Sequence, residues 1–94
     1  MVDKSPEAIE VLDNFFAHID ELGRWFIHYT GEVPKRLFIS PTIIASIAKT
    51  EGFYGRKELQ GIVTAHAPIV RYFKLSFGVV TIVEDWEEKF LHFD

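Results

Sequence analysis

Residues 5–31 read SPEAIEVLDNFFAHIDELGRWFIHYTG, and this stretch decides the fold. Within it Ala8, Leu12, Phe15, Ile19, Leu22, Phe26 and Tyr29 recur at steps of four and three. That is the apolar seam of an α-helix, kept up for about three heptads. Ser5 stands where an N-cap belongs, Pro6 at the first helical position, and Gly31 where a left-handed residue closes a helix. Phe16 and Trp25 widen the stripe beyond a two-residue seam, so this one helix asks for much apolar cover. A second copy of the chain, or a partner, could supply what the chain itself does not. The polar face carries Glu10, Asn14, Glu21, Arg24 and His28, with Asp20 and Arg24 spaced for an i,i+4 ion pair.

Working outward, residues 30–34 (Thr-Gly-Glu-Val-Pro) break the helix, because Gly permits the turn and Pro removes a donor. Residues 35–40, KRLFIS, then read as a short buried strand. Ser40-Pro41 repeats the helix-opening pair, and a second helix runs from Thr42 to about Thr50 with Ile43, Ile44, Ile47 and Ala48 on its apolar face, stopping near Gly52. A strand leading straight into a capped helix is half of a β-α-β unit. Residues 51–61 form a polar connection with Gly52, Gly55 and Gly61. Residues 58–66 fit a short helix or an irregular strand, and Pro68 ends either one. From Ile69 to Phe77 the chain alternates, Arg71, Phe73, Leu75 and Phe77 on one face and Val70, Tyr72, Lys74 and Ser76 on the other. Gly78 turns it, and residues 79–83, VVTIV, are the most β-branched run present.

The whole is predicted to be one α+β domain over residues 1–94. A long N-terminal helix and a second short helix pack on one face of a small mixed or antiparallel sheet of about three strands. Residues 1–5 form an arm, 6–30 the helix, 35–85 the strand-helix-strand-strand core and 86–94 an acidic aromatic tail. The tail could pack as a last short helix, since Trp86, Phe90 and Phe93 fall on one side of a helical turn. It could equally dock on a partner.

A chain of 94 residues leaves no room for a second core. It buries only about 60–65% of its unfolded surface, yet 48% of its residues are hydrophobic. Nine Phe, three Tyr and two Trp exceed what a minimal core requires. The net charge of −4 argues against a general nucleic-acid binder. Cysteine is absent, which removes disulfides, zinc–thiolate sites and thiol chemistry. Residues 1–7 lack the apolar core of a signal peptide, and no stretch approaches the roughly 20 apolar residues that span a bilayer. A cytoplasmic protein that needs no membrane is the expectation.

The segment Leu37-Phe38-Ile39-Ser40-Pro41 followed by a helix, together with Phe77-Gly78-Val79-Val80-Thr81-Ile82-Val83-Glu84-Asp85, resembles a pattern of small tailed-bacteriophage proteins. The same strand-Ser-Pro-helix and Gly-Val-x-Val-Val-Asp pieces are similar to those in the core of tailed-phage capsid subunits. The match covers about a fifth of the chain and brings no catalytic residues with it. It implies a small phage accessory protein, since a capsid subunit is several times longer.

Among candidate sites, residues 52–57 suit ligand contact best. Glycines let backbone N–H groups approach an anion, Arg56 can grip a phosphate with Lys57 beside it, and Tyr54 or Phe53 can stack on a base. Tyr54, Gly55, Arg56 and Lys57 would then bind a nucleotide or other phosphate; the alternative is a solvated turn with its aromatics tucked under the sheet. No Walker or dinucleotide fingerprint is present. His18 and His28 lie ten residues apart, too far to share a metal ion, and no His pair has helical zinc spacing. His66 and His92 lack a nucleophile partner, so catalysis, metals and cofactors are not expected. Asp13, Asp20, Glu21, Glu84, Asp85, Glu87 and Glu88 read as solvated charges. The leading expectation is a non-enzymatic interaction protein that self-associates and contacts a protein partner, with Phe16, Trp25, Trp86, Phe90 and Phe93 at its interfaces. A nucleotide-binding module is the alternative.

Overall fold

Helix α1 spans Pro6–Thr30, and its buried residues are Ala8, Leu12, Phe16, Ile19 and Gly23. The structure, a computed structural model, describes residues 6–60 and 71–94. Ser5 and the arm before it, Gly61, His66, Pro68 and the first residues of the expected strand at Ile69 lie outside the described residues. The expected seam packs on the core as far as Phe26, but its most buried line runs through Phe16 and Gly23, with Phe15, Leu22 and Phe26 half-buried beside it and Tyr29 exposed. A straight helix repeats every 3.6 residues and drifts about 20° per heptad away from a 3.5-residue seam. Lying on a sheet without supercoiling, α1 follows its own period. It closes as anticipated: the Gly31 N–H donates to the Ile27 carbonyl at 2.8 Å, with Gly31 at φ 74°.

After α1 come β1 (Arg36–Ile39), α2 (Pro41–Ala48), a 3-10 turn (Phe53–Gly55), β2 (Leu59–Gln60), β3 (Tyr72–Leu75), β4 (Gly78–Glu84) and β5 (Leu91–Phe93). The fold is α+β, but among the described residues the sheet has five strands rather than about three, in the order β2-β3-β4-β1-β5. Strand β1 pairs parallel with β4, and every other pairing is antiparallel. The strand and helix around Ser40-Pro41 form as expected, but no simple β-α-β unit follows: the chain passes through β2 and β3 before β4 returns parallel to β1. Pro41 occupies the first position of α2, although Ser40 caps it without a side-chain hydrogen bond.

Register assigns each face of the sheet. Leu37 lies opposite Phe93 and Ile82, and Phe73 opposite Val80. Leu37, Ile39, Phe73, Leu75, Val80 and Phe93 therefore share one face, and they form a single buried cluster with Leu12, Phe16 and Ile19 of α1 and Ile47 of α2. Phe38, Tyr72, Lys74, Val79, Thr81 and His92 occupy the other face.

The tail corrects one expectation. Its last residues form no helix, for β5 adds to the edge of β1 and buries Phe93. Leu91-His92-Phe93 alternates with period two, and its backbone closes on β1 through exchange between Arg36 and Asp94, the Asp94 N–H donating to the Arg36 carbonyl at 3.0 Å. Three paired residues outweigh the helical spacing of Trp86, Phe90 and Phe93, because burying Phe93 is worth about 1.5–3 kcal/mol.

Candidate functional site

The residues proposed for anion binding are held from within. Glycine at 52 adopts φ 86° and starts the 3-10 turn. That turn takes up three of the backbone donors an anion could use: Phe53 N–H bonds to Thr50, Gly55 N–H to Gly52 and Arg56 N–H to Phe53, each at 3.1 Å. Arg56 Nε and Nη2 each donate to the Glu58 carboxylate at 3.0 Å, and Nη1 donates to Asp13. The same guanidinium lies 5.3 Å from the centroid of the buried Phe16 ring. Hydrogen bonding to Glu58 pushes the Arg56 pKa above the ordinary arginine value, burial works against this, and Asp13 adds to the upward push. Arg56 is thus a structural tie between α1 and the 3-10 turn, and an incoming phosphate would have to displace two carboxylates. Phe53 tucks into the core against Phe16, while Tyr54 and Lys57 are exposed. A groove of about 510 Å³ opens beside this tie, lined among others by Asp13, Lys57, Lys74 and Ser76. Its inner carboxylate, Asp20, accepts from the Ser76 N–H at 2.7 Å and the Ser76 hydroxyl at 2.9 Å and pairs with Arg24 at 3.2 Å. The expected i,i+4 pair is present, and Asp20 also pins the β3–β4 turn to α1.

The interface candidates divide in two. Phe16 and Phe93 are buried in the chain's own core, so neither offers a surface. Phe16 fills the space between α1 and the sheet, its ring edge-on to Phe73 at 5.2 Å. Trp25, Trp86 and Phe90 are exposed, at 49%, 84% and 70%. Sequence reasoning missed Tyr29, 78% exposed, whose ring stacks on Trp25 at 5.6 Å with His28 edge-on to both. The spacing of Trp25 and Tyr29, one turn apart, is the signal that could have joined them.

The topology puts these two aromatic groups at opposite ends of the sheet. Helix α1 runs alongside β3 in the same direction, with Phe16 on Phe73, Asp20 on Ser76 and Gly23 on Phe77. Past Gly23 it continues for seven more residues, about 10 Å, beyond the β3–β4 turn. Trp25, His28 and Tyr29 ride on that overhang, beside a shallow hollow of about 390 Å³ lined by Glu21, Arg24, Trp25 and His28. Strand β4 then carries the chain about 23 Å the other way, to the turn at residues 85–90 that bears Trp86 and Phe90. This turn is fixed by its own bonds. Asp85 N–H donates to the Ile39 carbonyl at 3.0 Å, Ser40 N–H to the Phe90 carbonyl at 2.9 Å, and Glu87 N–H to the Asp85 side chain at 2.9 Å.

His92 stacks on Phe38 at 4.9 Å and contacts Glu88, Arg36 covers the same Phe38 ring at 5.2 Å, and His18 is exposed. Among the described residues no group of three or more His, Asp or Glu side chains is arranged to hold a metal ion. Nor is any described helix long and apolar enough to cross a membrane. Comparison with protein-family models, with curated proteins and with solved structures returned no match.

Proposed function

We propose that this chain is a small non-enzymatic interaction protein that self-associates and binds a protein partner. One observation carries the reading: two exposed aromatic groups stand on ordered elements at opposite ends of the sheet, uncovered by the described chain. Large aromatic rings set on rigid backbone are the usual anchors of protein interfaces. The α1 overhang suits a second copy. An antiparallel crossing at Trp25 would lay Glu21 of one copy near His28 of the other, a carboxylate acceptor opposite an imidazole N–H donor. The turn at residues 85–90 suits a different protein. Its likeness at residues 37–41 and 77–85 to tailed-bacteriophage proteins supports a phage accessory role in a host cytoplasm, as a virion component or an inhibitor of a host complex.

Sedimentation velocity across the micromolar range tests self-association. A species above 10.9 kDa is expected, and Trp25→Glu should return it to monomer, because an unpaired charge in a desolvated contact costs several kcal/mol. A wild-type monomer throughout that range would sink this half of the reading.

A further inference from the structure

We propose that the turn at residues 85–90, with Glu84 at the end of β4, is a docking site for an arginine- or lysine-bearing segment of the partner protein, with the Trp86 ring taking the cationic head group. The inference rests on the interaction reading above and names the partner's chemistry at one of its two ends. Trp86 has no ring neighbour among the described residues, and at 84% exposure both faces of its indole meet solvent. An indole face attracts a guanidinium or ammonium more strongly than any other aromatic ring.

Charge around the ring selects the occupant. Residues 84–89 hold four carboxylates and one lysine. Two of the four are committed: Asp85 accepts from the Glu87 N–H, and Glu88 accepts from the Phe90 N–H and contacts His92. Glu84 and Glu87 are exposed and form no ion pair among the described residues, and the exposed Lys89 has none either, so the free charge of the stretch is negative by one. The two carboxylates flank Trp86 in sequence, Glu87 directly and Glu84 two residues before it. A second copy presenting the same turn would bring like charges together, and phosphate-rich surfaces would be repelled for the same reason. A cationic segment meets carboxylates and π-faces at once. The hydrogen bonds that hold the turn to β1 and α2 mean little ordering is left to be done on binding.

The test uses the full chain and three synthetic dodecapeptides labelled with fluorescein: one alternating Arg and Leu, one with Ser for each Arg, and one with Glu for each Arg. Fluorescence anisotropy should show binding of the Arg peptide that weakens about tenfold in Trp86→Ala, the loss typical of an interface anchor. The double variant Glu84→Gln/Glu87→Gln should weaken it too and flatten its salt dependence. The Glu peptide should not bind. If the Ser peptide binds as tightly as the Arg peptide and both need Trp86, the cationic partner is refuted while the turn remains a contact site. If the Arg peptide binds wild type and Trp86→Ala equally, or no peptide binds, the proposal is refuted. In the last case a monomeric wild type would remove the wider reading with it.

Discussion

Replacing Gly23 by alanine sets helix propensity against packing at one atom. In an exposed helix interior the change stabilises by about 1 kcal/mol, since glycine has more backbone freedom to lose. Gly23 is buried, however, and a Cβ built there lies 2.2 Å from Cζ and 2.3 Å from Cε1 of Phe77. Carbon atoms pack at about 3.5–4.0 Å, so the ring must move by more than an ångström. Phe77 also stands edge-on to Phe93 at 6.0 Å between centroids, and a displaced ring spoils that contact as well. Forcing an extra methyl into a packed site costs about 1–3 kcal/mol. Packing outweighs propensity, and Gly23→Ala should destabilise by about 1 kcal/mol net. For a domain this size that lowers Tm by about 4–8 °C.

The discriminating experiment repeats the change in a Phe77→Ala background. With the ring gone, only propensity remains, and Gly23→Ala should stabilise by about 1 kcal/mol. Urea and thermal unfolding of the four proteins gives the coupling as a double-mutant cycle, about 2 kcal/mol in size. The sign reversal is the point. If Gly23→Ala shifts stability equally in both backgrounds, Phe77 does not pack on α1 as described, and the alignment of α1 along β3 loses one of its three fixed points.

Two further pairs of substitutions test where the chain places its aromatic and basic side chains. Phe93→Ala should destabilise by about 3–4 kcal/mol by emptying a core site, whereas Trp86→Ala should stay within about 0.5 kcal/mol; equal melting of the two variants would contradict β5. Arg56→Ala should destabilise by about 1–3 kcal/mol, since it strands Glu58 and Asp13 and uncovers Phe16, while Lys57→Ala should change melting little. A neutral Arg56→Ala would mean that the tie between α1 and the 3-10 turn is not formed in solution.

The parts of this fold that could be read from sequence are those whose pattern is long enough to repeat. Helix α1 declared itself over seven turns, and the alternation of Tyr72, Phe73, Lys74 and Leu75 gave the correct faces for β3. Strand β5 was missed and β2 left open between helix and strand, because two or three residues cannot establish a period. The exact buried stripe of α1 was missed for a subtler reason. A 3.5-residue seam and a 3.6-residue stripe agree at Ala8, Leu12 and Ile19, then part at Phe15 against Phe16 and at Leu22 against Gly23. Only the partner surface decides between them, and a glycine does not advertise itself as a core residue. Likewise Arg56 among glycines looks like a phosphate grip until Asp13, 43 residues away in sequence, is folded beside it. Long-range neutralisation of this kind leaves no local trace.

The aromatic surplus takes on meaning once each ring has a place. Phe16, Phe53, Phe73 and Phe93 are buried, and Phe15, Phe26, Phe38 and Phe77 are half-buried. The exposed six are Trp25, Tyr29, Tyr54, Tyr72, Trp86 and Phe90. Every tryptophan and every tyrosine is therefore outside, and every phenylalanine but one is at least partly inside. Core packing alone does not require that division, for buried Tyr and Trp are common where their polar atom finds a partner. Rings that combine apolar bulk with a polar edge are the ones that serve at contacts wet before binding and dry after it. Phe90 is the exception, and it shares the hydrogen-bonded turn with Trp86. The chain builds its core almost wholly from Phe, Leu, Ile and Val and keeps the amphipathic aromatics for its surface. That partition, more than any single motif, supports the interaction role proposed above.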